Sequence, residues 1–341
     1  MNTIPSKPHP IESAANWQGT ELLQHPDWEA RLSTDELTQI DQALRGVANS
    51  PLSEINAATF QLGSLGDRLV AIQGNLEHGS GVLLLKSISV DRYSPAELQR
   101  LFLGLLSHLG TPVSQSAEGT TVFSVRNEGL GTQDPKTRGP NTNKKLSFHT
   151  DRCDVIGFLC IQPAMTGGEN QIVSSVAVYN KILSTRPDLL SILLQPFYYQ
   201  RHNVDLGNET PFTKQPIFSI YQGHFAANFL RVLIERAYAD ESTPEMTPQQ
   251  REALDFLETT AADPSLSITF RQEVGDLLLL NNFVTLHRRT EFKDNVDHPR
   301  HLLRIWLSMP NSRPLDPMFA GNYGSVKAGA IRGGMRPQHA P

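Results

Sequence analysis

LLLLNNFVTLHRRTEF, Leu277 to Phe292, runs four leucines into a polar pair and then into a second apolar stretch carrying His287. Short apolar runs bounded by polar residues read as strands, and two in close succession read as a strand pair. A histidine near the end of so apolar a pair has little reason to face water. Segments of the same kind recur outward from it, at Gly81 to Leu85, Thr120 to Val125, Val155 to Ile161, Gln171 to Ser175 and Leu302 to Ser308. A long insert with helical character separates the fourth segment from the Leu277 run. That order argues against alternating βαβ units and for a mainly β fold, an antiparallel jelly-roll core with flanking helices.

The helices announce themselves at their ends. Ser33 and Glu36 form a capping box ahead of Leu37, Ile40, Leu44 and Val47, which fall on one face. Ser94, Pro95 and Glu97 open a leucine-rich helix that Gly110 follows. Val176 to Leu194 reads as helical, with Pro187 starting a new turn, and Thr247-Pro248 caps a further helix. No repeat, low-complexity tract or linker divides the chain, so one domain is expected. Its parts are a helical N-terminal region over residues 1–75 packed on the core, a β domain over 76–320 with a helical insert at about 176–262, and a tail at 321–341. Glu128 to Lys145, rich in Gly, Pro, Asn and Thr, reads as a loop, and a loop that long commonly serves as a lid or binding element.

Composition narrows the function classes. With 341 residues, 39% hydrophobic and 19% charged residues and a pI near 6.1, the chain reads as soluble and globular. A formal net charge of −5 argues against nucleic acid and anionic membranes as partners. The first twenty residues lack the apolar core of a secretory signal, and no stretch approaches the ~18 apolar residues of a membrane span, so a cytoplasmic location is expected. Self-association stays open. The two cysteines, Cys153 and Cys160, match neither a CxxC motif nor a disulfide framework and read as buried small hydrophobes.

Chemistry concentrates in FHTDRCD, residues 148 to 154. Spacing alone is weak support: with 11 His and 35 Asp plus Glu, roughly one His-x-Asp/Glu triplet is expected by chance, and His25-Pro26-Asp27 is such a decoy, in a proline-marked loop. On a strand, His149 and Asp151 would project together while Thr150 points away, giving half a metal site. His287 is the candidate third ligand. Arg300, Leu302 and Arg304 share one face of the last strand by parity, and guanidinium groups on an inward apolar face are costly unless they meet anions.

In this order HTD, GGE, NNFVTLHRRTEF and RHLLRIWL resemble the TauD/TfdA-type family of Fe(II)- and 2-oxoglutarate-dependent dioxygenases, over roughly Gly81 to Leu307. The resemblance implies a double-stranded β-helix of the clavaminate-synthase-like type, with iron held by His149, Asp151 and His287. It puts Arg300 on the distal carboxylate of 2-oxoglutarate and turns Arg304 toward an anionic group of the substrate. After the glycine pair the family usually carries Thr or Ser on the cosubstrate. Here Gly167-Gly168-Glu169 is followed by Asn170, whose amide can donate the same bond, and Ser174 lies on the same strand face as a substitute.

Two imidazoles and a carboxylate on one face of Fe(II) leave three positions, two for 2-oxoglutarate and one for O2. The implied reaction couples decarboxylation of 2-oxoglutarate to succinate and CO2 with oxidation of an unactivated C–H bond, most simply hydroxylation. The substrate implied is a small anionic or amino-acid-like molecule or a secondary metabolite. Halogenating relatives of this chemistry carry a small residue where Asp151 stands, so halogenation is not expected. Desaturation, ring closure and epimerisation are not separated from hydroxylation. Zinc can also take two histidines and a carboxylate, and a zinc-dependent hydrolase is one alternative; a non-catalytic jelly-roll ligand-binding protein is another. Metal-dependent binding of 2-oxoglutarate discriminates both.

The remaining conspicuous residues read as packing or surface. Phe197-Tyr198-Tyr199 and the tryptophans are expected in core or lid contacts. Arg288 and Arg289 alternate in direction, so at most one is expected in the pocket, and His298 and His301 are not expected as ligands. Arg332-Gly333-Gly334-Met335 lacks the strand and helix context of a phosphate loop.

Overall fold

In the computed structural model, residues 8–129, 139–202 and 210–336 are described. Its organisation follows from alternation along the leucine run. Leu277 and Leu279 face one way, into a core shared with helices, while Leu278 and Leu280 face the other, into a core between two sheets. The run forms the strand Leu277–Asn281, paired antiparallel with Val82–Lys86 on one side and Val155–Gln162 on the other. His301–Ser308 pairs with Val155–Gln162 and then with Thr111–Val113 and Val122–Val125. Glu29–Arg31 adds the single parallel pairing at the Val82–Lys86 edge, so this seven-stranded sheet is mixed.

The outer face of the sheet is covered by the helices Thr34–Gly46, Ser64–His78 and Pro95–Ser107. Ser33 and Ser94 each accept from the third helical N–H, and Glu36 and Glu97 reach back to the cap amides, as the capping boxes require. The helix Ser64–His78 runs through the division expected at residue 75. Ile40, Leu65, Leu101 and Leu105 join Leu277, Leu279 and Ile305 in one continuous core. Truncating one of these fully buried leucines to alanine would cost about 2–5 kcal/mol, the sum of lost transfer energy and a cavity.

Facing the inner side is a three-stranded antiparallel sheet, Ser267–Phe270, Asn170–Ser174 and Thr285–Arg289 in that order. The chain crosses from the large sheet to the small one within the quoted stretch. Asn281 makes the corner: its Oδ1 accepts from the Phe283 amide, its Nδ2 donates to the Leu76 carbonyl, and Thr285 Oγ1 donates back to the Asn281 carbonyl.

The insert differs from expectation. Helices Ser175–Thr185, Pro187–Leu193, Arg231–Tyr238 and Pro248–Ala261 are present, but Pro196–Gln200 pairs with Phe212–Pro216 and Phe218–Tyr221 with His224–Ala227. The second pair turns at Gln222-Gly223, both with positive φ, a hairpin signal that glycine supplies. Phe197 and Tyr199 pack inside the insert core, as read. Among the described residues no helix is long and apolar enough to cross a membrane. Cys153 and Cys160 are free and buried.

Candidate active site

The strand expected for His149 and Asp151 is absent. His149 makes a single bridge to His287, each amide donating to the other's carbonyl at 3.0 Å, and the chain then leaves the sheet. Hydrogen bonds from other elements replace the ladder. Thr150 donates its amide to the Phe229 carbonyl at 2.8 Å and accepts the Phe229 amide on Oγ1 at 3.0 Å, so it points away from the site, as read. Asp151 donates its amide to Asn282 Oδ1 at 2.9 Å, and Asn282 Nδ2 donates to Cys153 Sγ. Asp154 anchors the end of the turn: its carboxylate accepts from the Met309 amide and from Arg332 Nε, both at 2.7 Å.

These constraints bring one ligand atom each from His149, Asp151 and His287 within 4.8 Å of one another. The His149 and His287 rings stand 4.4 Å apart. His149 Nδ1 meets the Ser147 carbonyl at 2.9 Å, which fixes the ring and leaves Nε2 as its ligand atom. Burial and the facing His287 push His149 down to about 4, so it is the neutral imidazole a metal needs. Burial alone would raise Asp151; the His287 hydrogen bond and the Arg304 and histidine charges outweigh it and hold the carboxyl well below its usual range. Asp151 Oδ2 is buried with only the His287 Nε2 contact at 3.3 Å, and His287 Nδ1 is buried with no hydrogen-bond partner. Polar atoms left open on a His, Asp, His donor set fit a divalent cation of the Fe(II) type. The decoy behaves as read: His25 and Asp27 lie in a surface turn with their side chains 3.6 Å apart.

One cavity joins this triad to Asn170, Phe158, Leu302, Arg300 and Arg304. A bulge in the pairing with Val155–Gln162 falls between His301 and Leu302, yet Arg300, Leu302 and Arg304 all line the cavity. Arg300 is 4% exposed, stacks against Phe292 and leaves Nη1 without an acceptor. Arg304, 3% exposed, donates Nε to Gln115 Oε1 at 2.6 Å and leaves Nη2 unpartnered. Asn170 donates one amide hydrogen to Gln272 Oε1 at 3.0 Å and keeps the other. His301 turns away, its Nε2 3.2 Å from Ser124 Oγ, and His298 is exposed.

Two expectations need correction. Ser174 does not face the cavity: its hydroxyl donates to the Ala15 carbonyl and accepts the Ala177 amide, capping the helix Ser175–Thr185 at full burial. A strand-end hydroxyl next to a helix start is claimed by the helix. Arg288 and Arg289 both line the cavity, because Thr285–Arg289 is an edge strand around which a long side chain can reach. Asn282, Gln115 and Phe158 went unread. A second asparagine after Asn281 was the one available signal for the first; nothing local marks the others. The loop read at Glu128 to Lys145 lies outside the described residues over 130–138, but Pro140 and Leu146 line the cavity.

The model of the taurine catabolism dioxygenase TauD, TfdA family matches residues 48–306, most of the chain and all of this site. The chain belongs to that family. With the family come its cofactors: it is an Fe(II)- and 2-oxoglutarate-dependent oxygenase, and O2 is the other cosubstrate. The chain is similar to an FR-33289 synthase of Streptomyces rubellomurinus, 28% identical over 333 residues, covering 94% of this chain and 97% of that one. It is similar to a uridine-5'-phosphate dioxygenase of a Streptomyces species, 25% identical over 184 residues, covering 52% and 65%. Asparagine oxygenase, solved with Fe(II), 2S,3S-3-hydroxyasparagine and succinate, shares the fold at a TM-score of 0.62 with 17% identity, covering 82% of this chain and 93% of that one. A TauD/TfdA-family chain thus has a mixed sheet with flanking helices at its centre.

Proposed function

We propose that this TauD/TfdA-family oxygenase hydroxylates an unactivated C–H bond of a small, anionic or amino-acid-like metabolite, and that the two facing sheets are a double-stranded β-helix. The observation that carries this reading is the meeting, in one cavity, of the open His149, Asp151 and His287 donor set with two buried, incompletely partnered guanidinium groups, Arg300 and Arg304. A hydrolase needs the first and has no use for the second. Supporting it, one relative is named for a phosphate ester and one structural neighbour holds a hydroxylated amino acid.

Each residue then has a task. His149, Asp151 and His287 would hold iron, which when bound activates O2 with 2-oxoglutarate for C–H oxidation. Arg300 would grip the distal carboxylate of 2-oxoglutarate, with the free amide hydrogen of Asn170 beside it. Arg304 would hold an anionic group of the substrate while offsetting the charge of Asp151. Phe158, Leu302 and Val125 supply apolar walls that keep water from the reacting carbon.

The test is anaerobic addition of 2-oxoglutarate to the Fe(II)-loaded protein, followed by its visible charge-transfer absorption. The band should appear, and should be lost in His287→Ala and Asp151→Ala with the fold intact by circular dichroism. Metal binding with no band would sink the oxygenase reading and favour hydrolysis.

A further inference from the structure

The cavity carries more positive charge than this reading uses. Four arginines line it, Arg288, Arg289, Arg300 and Arg304, against one carboxylate, Asp151. A divalent metal and the 2-oxoglutarate dianion cancel, so the arginines still outnumber the acid by three, four less one. Arg288 is accounted for: it lies on the Phe148 ring, donates to Gln171 and feels Glu258 from a distance. Arg289 is not. It is 5% exposed, and among the described residues it has no ion pair. Nε donates to the Thr290 carbonyl at 3.2 Å and Nη2 to the Lys144 carbonyl, leaving Nη1 without an acceptor among the described residues.

Arg289 also sits against a like charge. Its guanidinium and that of Arg300 flank one ring, 4.6 and 5.2 Å from the centroid of Phe292. The nearby carboxylate Asp294 is held by the Arg300 amide at 2.8 Å and makes no ion pair with Arg289. A buried cation beside another cation is costly unless an anion meets it. Arg300 is committed to 2-oxoglutarate in the reading above. Arg289 lies toward Lys144 and Leu146, whose amide donates to the Arg289 carbonyl, at the side of the cavity lined by Pro140.

We propose that Arg289 and Arg304 form a second anion position in this cavity, and that it takes a doubly charged phosphoryl group, as a phosphate monoester or a phosphonate. The inference rests on the oxygenase reading. A tetrahedral phosphoryl dianion offers three oxygens, enough to accept from Arg289 Nη1 and Arg304 Nη2 on different sides, and removes two of the three surplus charges. A monocarboxylate would remove one and leave a guanidinium unmet.

The probes are methyl phosphate and methylphosphonate, followed by the 31P linewidth in the presence of Mn(II)-loaded protein and 2-oxoglutarate. Broadening should saturate with either probe, and the tighter of the two identifies the linkage. Arg289→Gln should weaken it roughly tenfold to hundredfold, the loss of one or two charge-assisted hydrogen bonds. Arg289→Lys, which keeps the charge, should fall between. The 2-oxoglutarate band of the Fe(II) protein should persist in both variants. If that band forms in the parent protein but neither probe broadens, or acetate competes as well as the phosphoryl probes, this proposal fails and the oxygenase reading stands. Loss of the band in Arg289→Gln would assign Arg289 to the cosubstrate and overturn the proposal. Absence of the band in the parent protein overturns the oxygenase reading itself.

Discussion

Arg304 Nη1 lies 3.9 Å from Asp151 Oδ1, so the arginine proposed to meet the substrate is also the counter-ion of the carboxylate proposed to hold the metal. The two tasks are coupled through one guanidinium.

Arg304→Gln should therefore alter metal loading as well as substrate binding. Arg304 helps to hold Asp151 below its usual range. Without it the carboxyl titrates at higher pH, and protons compete with the metal sooner as pH falls. Metal affinity should be nearly unchanged at pH ~7.5 and fall below that of the parent protein at the acid end of the range, near pH ~4. Cobalt titrations at the two pH values measure it. Equal weakening at both would mean that Arg304 acts on the fold instead.

Arg300→Ala should raise the 2-oxoglutarate requirement steeply, by roughly a hundredfold, since a buried charge-assisted pair is lost. Steady-state kinetics in 2-oxoglutarate, with the melting temperature as a control, decide it. An unchanged requirement would move the role to another arginine of the cavity.

The metal-free protein should lose stability in acid. His149 and His301 are both pushed down to about 4, His149 by burial and His287, His301 by burial and the Arg126 charge. A folded pKa below the unfolded value of about 6.5 means that the unfolded chain binds protons more tightly, so stability is full above that value and drains away as pH falls toward 4. A bound metal raises the whole curve but also keeps His149 free of protons to lower pH, so the fall toward acid should be steeper with it. Melting curves from pH 7 to 4 with and without Zn(II) test it; identical slopes would contradict the assignment of His149.

Arg332→Met should destabilise the protein by about 3–5 kcal/mol, because it strands the Asp154 carboxylate in the interior. Loss of the anchor should also loosen the turn that presents Asp151. Denaturant unfolding and metal titration should both respond, and a variant with normal metal affinity would show that the pair holds only the fold.

Much of the architecture was legible because alternation and caps are local signals. The leucine run, the Ser33 and Ser94 caps and the strand positions all follow from residues within one element. The triad was legible as a pattern, and His149, Asp151 and His287 do converge. What failed was parity applied where a strand does not exist or ends: Asp151 is placed by Asn282, Ser174 is taken by a helix, and both Arg288 and Arg289 reach the cavity. The hairpins of the insert were missed because aromatic residues suit a buried strand and a buried helix alike.

The C-terminal segment was read as a tail, yet its Arg332 pairs with Asp154 across 178 residues, and the Gly334 amide donates to the Arg152 carbonyl. Synthesis therefore completes the site in a fixed order. A nascent chain that has emerged through His287 carries all three donors but not the support beneath the turn that holds one of them. A chain shortened before Arg332 should therefore carry the three donors and yet bind metal more weakly than the full chain.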